Sequence, residues 1–411
     1  MPTPGTRRRI ESGRGVPTRP SVELLAVLTA EPVTRATRFP YIGALDGLRG
    51  LLVLSVLIFH YSLLSTGSIL FPGSFFAVST FFTLSGFLIT SLLLVETERS
   101  GAVAWRGFWG RRFRRLLPAS VAVVVIVVVI TAGTSPWGAV PGTEVAAALF
   151  SYENWWSIHL AKGPDSFRLL GPFSVYWSLA VEEQFYLGLF LMWLAAARTR
   201  YLKRWLVGLL VAVGVFSVAS AVIVQSTPQR DYFGTDTRAA EMVAGCLLAV
   251  AIHHYGWPRA RWWGVVGWIA MAVNIAAWSF VREDEEWVLS GGLALFSVVS
   301  IGMIVGASVK GTFAKALAFP PLVELGRMSY VVYVVHWPVG LIVTADRTGL
   351  DGLALWVARC SVTLGVSLLI FRLLERPIRT ARLARYPAGL VLWLAAVAFS
   401  IGCSVVVSGW S

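Results

Sequence analysis

Charge is scarce in this chain. Asp, Glu, Lys and Arg make up 14% of its 411 residues, against 56% hydrophobic ones, at a mean hydropathy of +0.70. So little charge excludes a pair of soluble domains, which need polar surface to face water. Cysteine is nearly absent: Cys246, Cys360 and Cys403 sit in separate apolar stretches without ligand spacing. They are expected to be packing residues, and no metal centre is expected. No internal repeat of the kind found in inverted-repeat transporters is visible. A cleavable signal peptide is also missing from this reading. Residues 1–38 are rich in Arg, Pro, Thr and Gly, and their only apolar stretch, Val22 to Ala30, is interrupted by Glu23. A disordered basic cytoplasmic tail is expected there.

What is present is apolar sequence in membrane-length runs. Stretches of about 17 to 25 apolar residues read as spans at 45–64, 75–95, 117–133, 177–196, 205–224, 239–255, 263–280, 288–308, 327–345, 354–371 and 386–408. The expected fold is an all-α polytopic membrane bundle of about ten to eleven helices, with 39–380 as its main domain and 381–411 as an additional C-terminal span. An interfacial or re-entrant piece is expected within 134–176, around Trp155 and Trp156. The net charge of +13 comes from basic clusters between spans: Arg7 to Arg9, 106–115, 198–204, 259–261 and 372–385. Two spans separate each cluster from the next, except that four separate the last two, an even number each time as the positive-inside rule requires, and Glu283 to Glu286 fall on the opposite side. This excludes nucleic acid as the reason for the charge. It predicts a multi-pass cell-membrane protein with a cytoplasmic N-terminus and, if all eleven spans cross, an external C-terminus.

Five segments break the apolar pattern. Arg49 and His60 are eleven residues apart in the first span, so a helix puts them on one face about 16 Å apart. A cation and an imidazole on one stripe of a membrane helix mark a polar interior, unless Arg49 is interfacial and His60 is satisfied by a neighbouring helix. Ser85 and Gly86, in Phe81-Phe82-Thr83-Leu84-Ser85-Gly86-Phe87-Leu88, permit close helix packing. Arg112 and Arg115 precede Pro118 and are three apart, so their guanidinium forks project together and suit phosphate oxygens. The plain alternative is a positive-inside cluster. Trp177-Ser178-Leu179-Ala180-Val181-Glu182-Glu183-Gln184 sets two carboxylates inside an apolar span, where at least one must face a polar interior or pair with an Arg. Ser329, Tyr333 and His336 are spaced four and three apart, forming one stripe before Pro338. Asp236, Arg238 and Glu241 begin the sixth span, as a gate or as mutual partners.

Taken in order, these segments resemble the acyltransferase family 3 membrane proteins, which O-acylate bacterial surface polysaccharides, lipid-linked sugars and some antibiotics. The resemblance covers about residues 39–380. It rests on the Arg49-to-His60 spacing, Phe81 to Leu88, Arg112 and Arg115 before Pro118, Trp177-Ser178-Leu179-Ala180-Val181-Glu182-Glu183-Gln184-Phe185-Tyr186, Gly326-Arg327-Met328-Ser329-Tyr330 and His336-Trp337-Pro338. It implies transfer of an acyl group, commonly acetyl, from cytoplasmic acyl-CoA to a hydroxyl of an acceptor at the outer face, with no tightly bound cofactor. One departure is Val175, where many relatives carry His, and it points to a different acceptor. Some relatives continue into an SGNH hydrolase-like extracytoplasmic domain. The resemblance therefore implies a stand-alone enzyme, an SGNH-like partner, or a further C-terminal domain.

On this reading Arg49, Arg112 and Arg115 hold the donor phosphates and the pantetheine arm carries the thioester to His60, the general base. Glu182 or Glu183 holds the His60 tautomer or binds the acceptor. Trp177, Ser178, Tyr330, Tyr333, His336 and Arg238 are the expected acceptor-side residues, with a glycan or glycolipid as acceptor and lipid around the bundle. Direct transfer and a covalent acyl-enzyme both remain open. A proton- or anion-coupled transporter would also use intramembrane Arg, His and Glu, and is the alternative reading.

Overall fold

The computed structural model describes residues 39–101, 103, 105–134, 140–161, 171–199, 201–224 and 227–380, with 398 and 402 singly. The tail expected at 1–38 and the span expected at 386–408 lie outside the described residues, apart from 398 and 402. Among the described residues the fold is helical without strands. In order the helices are α1 (Gly43–Thr66), α2 (Phe76–Ser100), α3 (Trp105–Thr134), α4 (Gly142–Leu149), α5 (Glu153–Leu160) and α6 (Tyr176–Ala197). Then come α7 (Leu202–Ile223), α8 (Pro228–Phe233), α9 (Thr235–Tyr255), α10 (Trp262–Phe280), α11 (Leu293–Ser308) and α12 (Thr312–Leu317). The last five are α13 (Pro320–Arg327), α14 (Ser329–Ile342), α15 (Ala345–Thr348), α16 (Gly352–Ile370) and α17 (Arg376–Thr380).

Among the described residues, eight helical segments are long and apolar enough to cross a membrane: α1, α2, α3, α6, α7, α10, the run Val288–Ser308 ending in α11, and the run Gly352–Thr380. Two expected spans differ from that pattern. The one expected at 239–255 begins earlier, at Thr235, and its first turns carry Asp236, Arg238 and Glu241, too polar for an ordinary lipid-facing span. Their charge is spent inside the protein, where Arg238 and Glu241 are buried against each other. The one expected at 327–345 is the 14-residue α14, set off from α13 by a break at Met328. Around Trp155 and Trp156 the chain forms the eight-residue α5.

Between membrane helices the hydrophobic effect gives little drive, so association depends on close backbone approach and hydrogen bonds. Glycine supplies the approach at two crossings that position the site. A Cβ at Gly86 would lie 2.0 Å from the Met242 carbonyl oxygen, and one at Gly245 would lie 1.9 Å from that of Thr83, so α2 and α9 touch through their backbones. The same holds for α1 against the chain from Leu317 to Gly326: a Cβ at Gly47 or at Gly326 would sit 1.7 Å from a carbonyl oxygen of the other segment.

Helix α1 lies between two cores. Leu45, Leu48, Leu52 and Val56 join a cluster built on α2, α6, α9 and α11. Val53, Leu57 and Tyr61 join another, built on α3, α14 and α16. Helix α1 ends at Gly67, whose φ of 67° lets its N–H reach the Leu63 carbonyl. Large apolar side chains such as Phe216 on α7, Ile269 on α10 and Leu369 on α16 point outward, as a lipid-facing surface requires.

Candidate functional site

Helix α1 carries Arg49 at one end and His60 beyond its middle, and polar side chains from α3, α6, α14 and α16 collect between and around them. At the Arg49 end is a cavity of about 370 Å³ lined by Tyr41, Asp46, Arg49, Arg115, Arg327 and Arg379. Four guanidiniums against one carboxylate leave this lining with an excess of three positive charges. Asp46 does not tightly neutralise any of them: its oxygens are 3.9 Å from Arg49 and 4.0 Å from Arg327. Arg327 also donates to Glu324 at 3.0 Å and to the Tyr41 hydroxyl at 2.9 Å, and Arg379 lies 3.5 Å from Glu375. Arg115 has no hydrogen-bond or ion-pair partner among the described residues. Such a cavity suits a polyanion, because guanidinium forks match phosphate oxygens in geometry and charge.

Arg112 and Arg115 were expected to act as one clamp, but they serve different places. Arg115 lines the cavity, whereas Arg112 donates from Nε to Glu183 at 2.8 Å and approaches Glu182 at 3.8 Å. Its guanidinium also lies 3.5 Å from the centre of the Tyr186 ring. Tyr186 donates to Glu182 at 3.2 Å and makes a short hydrogen bond with Ser85. Ser85, expected only as a packing residue, therefore belongs to this polar group, while its neighbour Gly86 makes the close crossing.

One turn along α6 from Glu182, Ser178 shares a hydrogen bond of 2.8 Å with the Tyr333 hydroxyl. His336 lies one turn further along α14, with Nδ1 2.5 Å from the Tyr333 carbonyl and Nε2 3.1 Å from Nδ1 of His60. The two imidazoles stack at a centroid distance of 5.1 Å, and the Trp337 ring stands edge-on to His60 at 5.2 Å. Tyr61 braces this contact: its hydroxyl donates to the His336 carbonyl at 2.6 Å and meets Thr363 of α16 at 2.5 Å. Glu182 and Glu183, expected as holders of the His60 tautomer or as acceptor ligands, are engaged with Arg112, and the ring beside His60 Nδ1 is that of His336.

The remaining expected acceptor-side residues are dispersed. Tyr330 makes a short hydrogen bond with Ser120 and donates to the Leu116 carbonyl at 3.0 Å, tying α14 to α3. Trp177 is buried against Phe82, Tyr232 and Phe233. Arg238 is wholly buried, donating from Nε to Glu241 at 2.8 Å and from Nη1 to the Tyr232 carbonyl at 3.0 Å. Asp236 pairs instead with Arg230 at 2.7 Å. Among the described residues no group of three or more His, Cys, Asp or Glu is placed to hold a metal ion.

Several site residues carried no functional assignment from the sequence. Arg327, Arg379, Tyr41 and Thr363 reach the site from distant segments, and no local spacing links them to Arg49 or His60. Tyr186 had a usable signal: it lies four residues after Glu182, on the same helix face.

A family model described as an acyltransferase domain matches residues 42–372. A peptidoglycan O-acetyltransferase of Listeria monocytogenes is 32% identical over 385 residues, spanning 86% of this chain and 59% of the relative. An O-acetyltransferase of Staphylococcus aureus is 29% identical over 360 residues, spanning 82% of this chain and 57% of the relative. A putative O-acetyltransferase, also of S. aureus, is 30% identical over 369 residues, spanning 84% and 58%. The chain thus spans less than two thirds of the length of these curated relatives. No solved structure matches it. With one family model covering most of the chain and a multi-helix membrane fold beneath it, this chain belongs to the acyltransferase 3 family of membrane proteins.

Proposed function

We propose that this protein is a membrane O-acyltransferase that moves an acetyl group from acyl-CoA, bound at the Arg49 end of α1, to a hydroxyl of a cell-envelope glycan at the His60 end. The observation that carries this reading is an arginine cavity at the Arg49 end of α1 and an imidazole pair, His60 with His336 of α14, at the other end, with Arg49 and His60 eleven residues apart on α1 and so about 16 Å along its axis. A donor whose anionic nucleotide head and reactive thioester lie at opposite ends of a slender arm fits that separation. Each guanidinium–phosphate hydrogen bond would contribute roughly 1.5–3 kcal/mol. The relatives named as peptidoglycan or other O-acetyltransferases support acetyl as the group and a cell-wall glycan as the acceptor class.

In this mechanism the donor head sits among Arg49, Arg115, Arg327 and Arg379, on the cytoplasmic side. The arm runs along the polar face formed by Arg112, Glu182, Tyr186, Ser178 and Tyr333. His60 removes the acceptor hydroxyl proton as the oxygen attacks the thioester carbonyl carbon. Collapse of the tetrahedral intermediate breaks the carbon–sulfur bond, and the departing thiolate takes the proton from His60, giving free CoA and the ester. Arg112 with its two carboxylates is a fixed charged cluster beside the arm, and binds no phosphate itself.

The test is reconstitution. Purified protein in vesicles, given acetyl-CoA labelled in the acetyl group on one face and a muropeptide or chitooligosaccharide on the other, is expected to produce labelled glycan ester that alkali releases. Transport of the label without ester formation or thioester cleavage would overturn the proposal and favour a transporter.

A further inference from the structure

The contact between His60 and His336 fixes more than proximity, because hydrogen-bond polarity can be followed from one end of the chain of contacts to the other. A backbone carbonyl only accepts. The Tyr333 carbonyl lies 2.5 Å from Nδ1 of His336, so that nitrogen carries a hydrogen. His336 is fully buried, and its ring meets the Tyr333 and Val332 carbonyls and His60, with no carboxylate in hydrogen-bond range among the described residues. An imidazolium there would be a buried cation without a counter-ion, which is costly, so His336 is neutral and its Nε2 holds a lone pair. That lone pair faces Nδ1 of His60 at 3.1 Å, and Nδ1 must therefore be the donor.

We propose that His336 is a positioning residue that holds His60 in the Nδ1–H tautomer, leaving Nε2 of His60 as the nitrogen that takes the acceptor proton. The inference rests on the reading of His60 as the base. It assigns to a neutral imidazole the orienting role that a carboxylate plays in a Ser–His–Asp triad. After His60 accepts a proton at Nε2, its Nδ1–H still points at the His336 lone pair, so the imidazolium gains a charge-assisted hydrogen bond without any rearrangement.

The surroundings favour a fixed pair. On α1, Tyr61 holds the His336 backbone through its hydroxyl, and on α16 Thr363 holds Tyr61 in turn. Trp337 closes the edge of the His60 ring, with its indole N–H donating to the Gly171 carbonyl at 2.8 Å. The nearest guanidinium on α16, Arg359, is occupied by the Val343 carbonyl at 2.9 Å and the Ser65 hydroxyl at 2.7 Å. The Tyr333 hydroxyl is occupied by Ser178. No other titratable group is shown in hydrogen-bond contact with the His60 ring among the described residues.

Two substitutions separate positioning from packing. In His336→Gln the amide can set an acceptor oxygen near the position of Nε2. In His336→Asn the shorter amide reproduces only the Nδ1 position and cannot reach His60. Positioning predicts that Gln keeps kcat within about 10-fold of the parent, that Asn and Leu lower it by roughly 100-fold or more, and that KM for acetyl-CoA stays within about twofold in all three. Equal kcat values for Gln and Asn, or a tolerated Leu, would overturn the proposal.

A readout without turnover comes from nitrogen NMR of histidine-labelled protein in lipid discs, with the His60 signals identified by their loss in His60→Ala. Wild type is expected to show a protonated Nδ1 and an unprotonated Nε2 at His60, and His336→Leu a mixture of tautomers. The opposite tautomer in wild type overturns the inference whatever the activity. The expected tautomer in a protein that transfers no acetyl group would instead overturn the proposed function alone.

Discussion

Arg112 on α3 is a single cation shared by two consecutive carboxylates on α6, with Glu183 at 2.8 Å and Glu182 at 3.8 Å, and all three side chains are four-fifths buried or more. One positive charge between two negative ones makes the three positions unequal. Removing either Glu leaves a one-to-one pair, whereas removing Arg112 leaves two buried carboxylates facing each other. Arg112→Gln is therefore expected to lower the thermal denaturation midpoint in detergent more than Glu182→Gln or Glu183→Gln. Adding Glu183→Gln to Arg112→Gln should recover part of the loss, about 1–3 kcal/mol after allowance for partial exposure. If the double variant is no more stable than Arg112→Gln, this cluster does not behave as one charge unit.

The arginine cavity predicts a graded response. Arg115, with no hydrogen-bond or ion-pair partner among the described residues, and Arg49, 3.9 Å from Asp46, are open to meet an anion, whereas Arg327 and Arg379 are more exposed and already engaged by Glu324 and Glu375. Arg49→Ala and Arg115→Ala are expected to raise KM for acetyl-CoA by about 10-fold or more, and Arg327→Ala and Arg379→Ala by a few-fold. All four should leave kcat nearly unchanged. Steady-state kinetics on reconstituted protein check this, and a fall in kcat at constant KM would remove the cavity as the donor site.

His60 should separate chemistry from binding in the opposite sense. His60→Ala is expected to reduce kcat by roughly 100-fold or more while acetyl-CoA binding, measured by calorimetry, stays near the wild-type value. Near-normal turnover would shift the base to another group.

Outside the spans, Glu144 gives a pH-dependent corner. Burial pushes its carboxyl up to about 7, although it accepts a hydrogen bond from the Phe173 N–H at 3.1 Å. A group whose folded value lies above its unfolded one stabilises the fold fully below the unfolded value and loses that contribution as pH rises through the folded one. Hydrogen exchange of amides in 142–149 and at Phe173 should therefore accelerate beyond the intrinsic base-catalysed trend between about pH 4.5 and pH 7. Glu144→Gln should flatten that dependence, and an unchanged profile in this variant would assign it to another group.

Orientation has a direct test. From the positive-inside bias, Arg112 is expected towards the cytoplasmic side and Glu285 outside. In protein lacking Cys246, Cys360 and Cys403, Arg112→Cys should resist an impermeant thiol reagent in intact cells, and Glu285→Cys should react. Reversed labelling would reverse the donor and acceptor sides.

The amino-acid sequence by itself determined the class of solvent and the local period. Apolar runs of membrane length allow only helices, because lipid offers no partner to an exposed peptide group. Eleven residues of helix put Arg49 and His60 on one face without any knowledge of a neighbour. The spacing of three between Arg238 and Glu241 was likewise enough to make them candidate partners. Tertiary structure alone decided whom the polar groups meet. His336 lies 276 residues from His60, Thr363 lies 302 from Tyr61, and Arg327 and Arg379 reach the Arg49 cavity from helices near the other end of the described chain. The division of labour between Arg112 and Arg115 also belongs to the fold. Three residues of helix place both on one side, but it is the approach of α6, carrying Glu182 and Glu183, that captures one and leaves the other open. Helical periodicity is encoded within a few residues, whereas the pairing of helix faces depends on backbone crossings such as Gly47 and Gly326, which form only when the whole bundle packs.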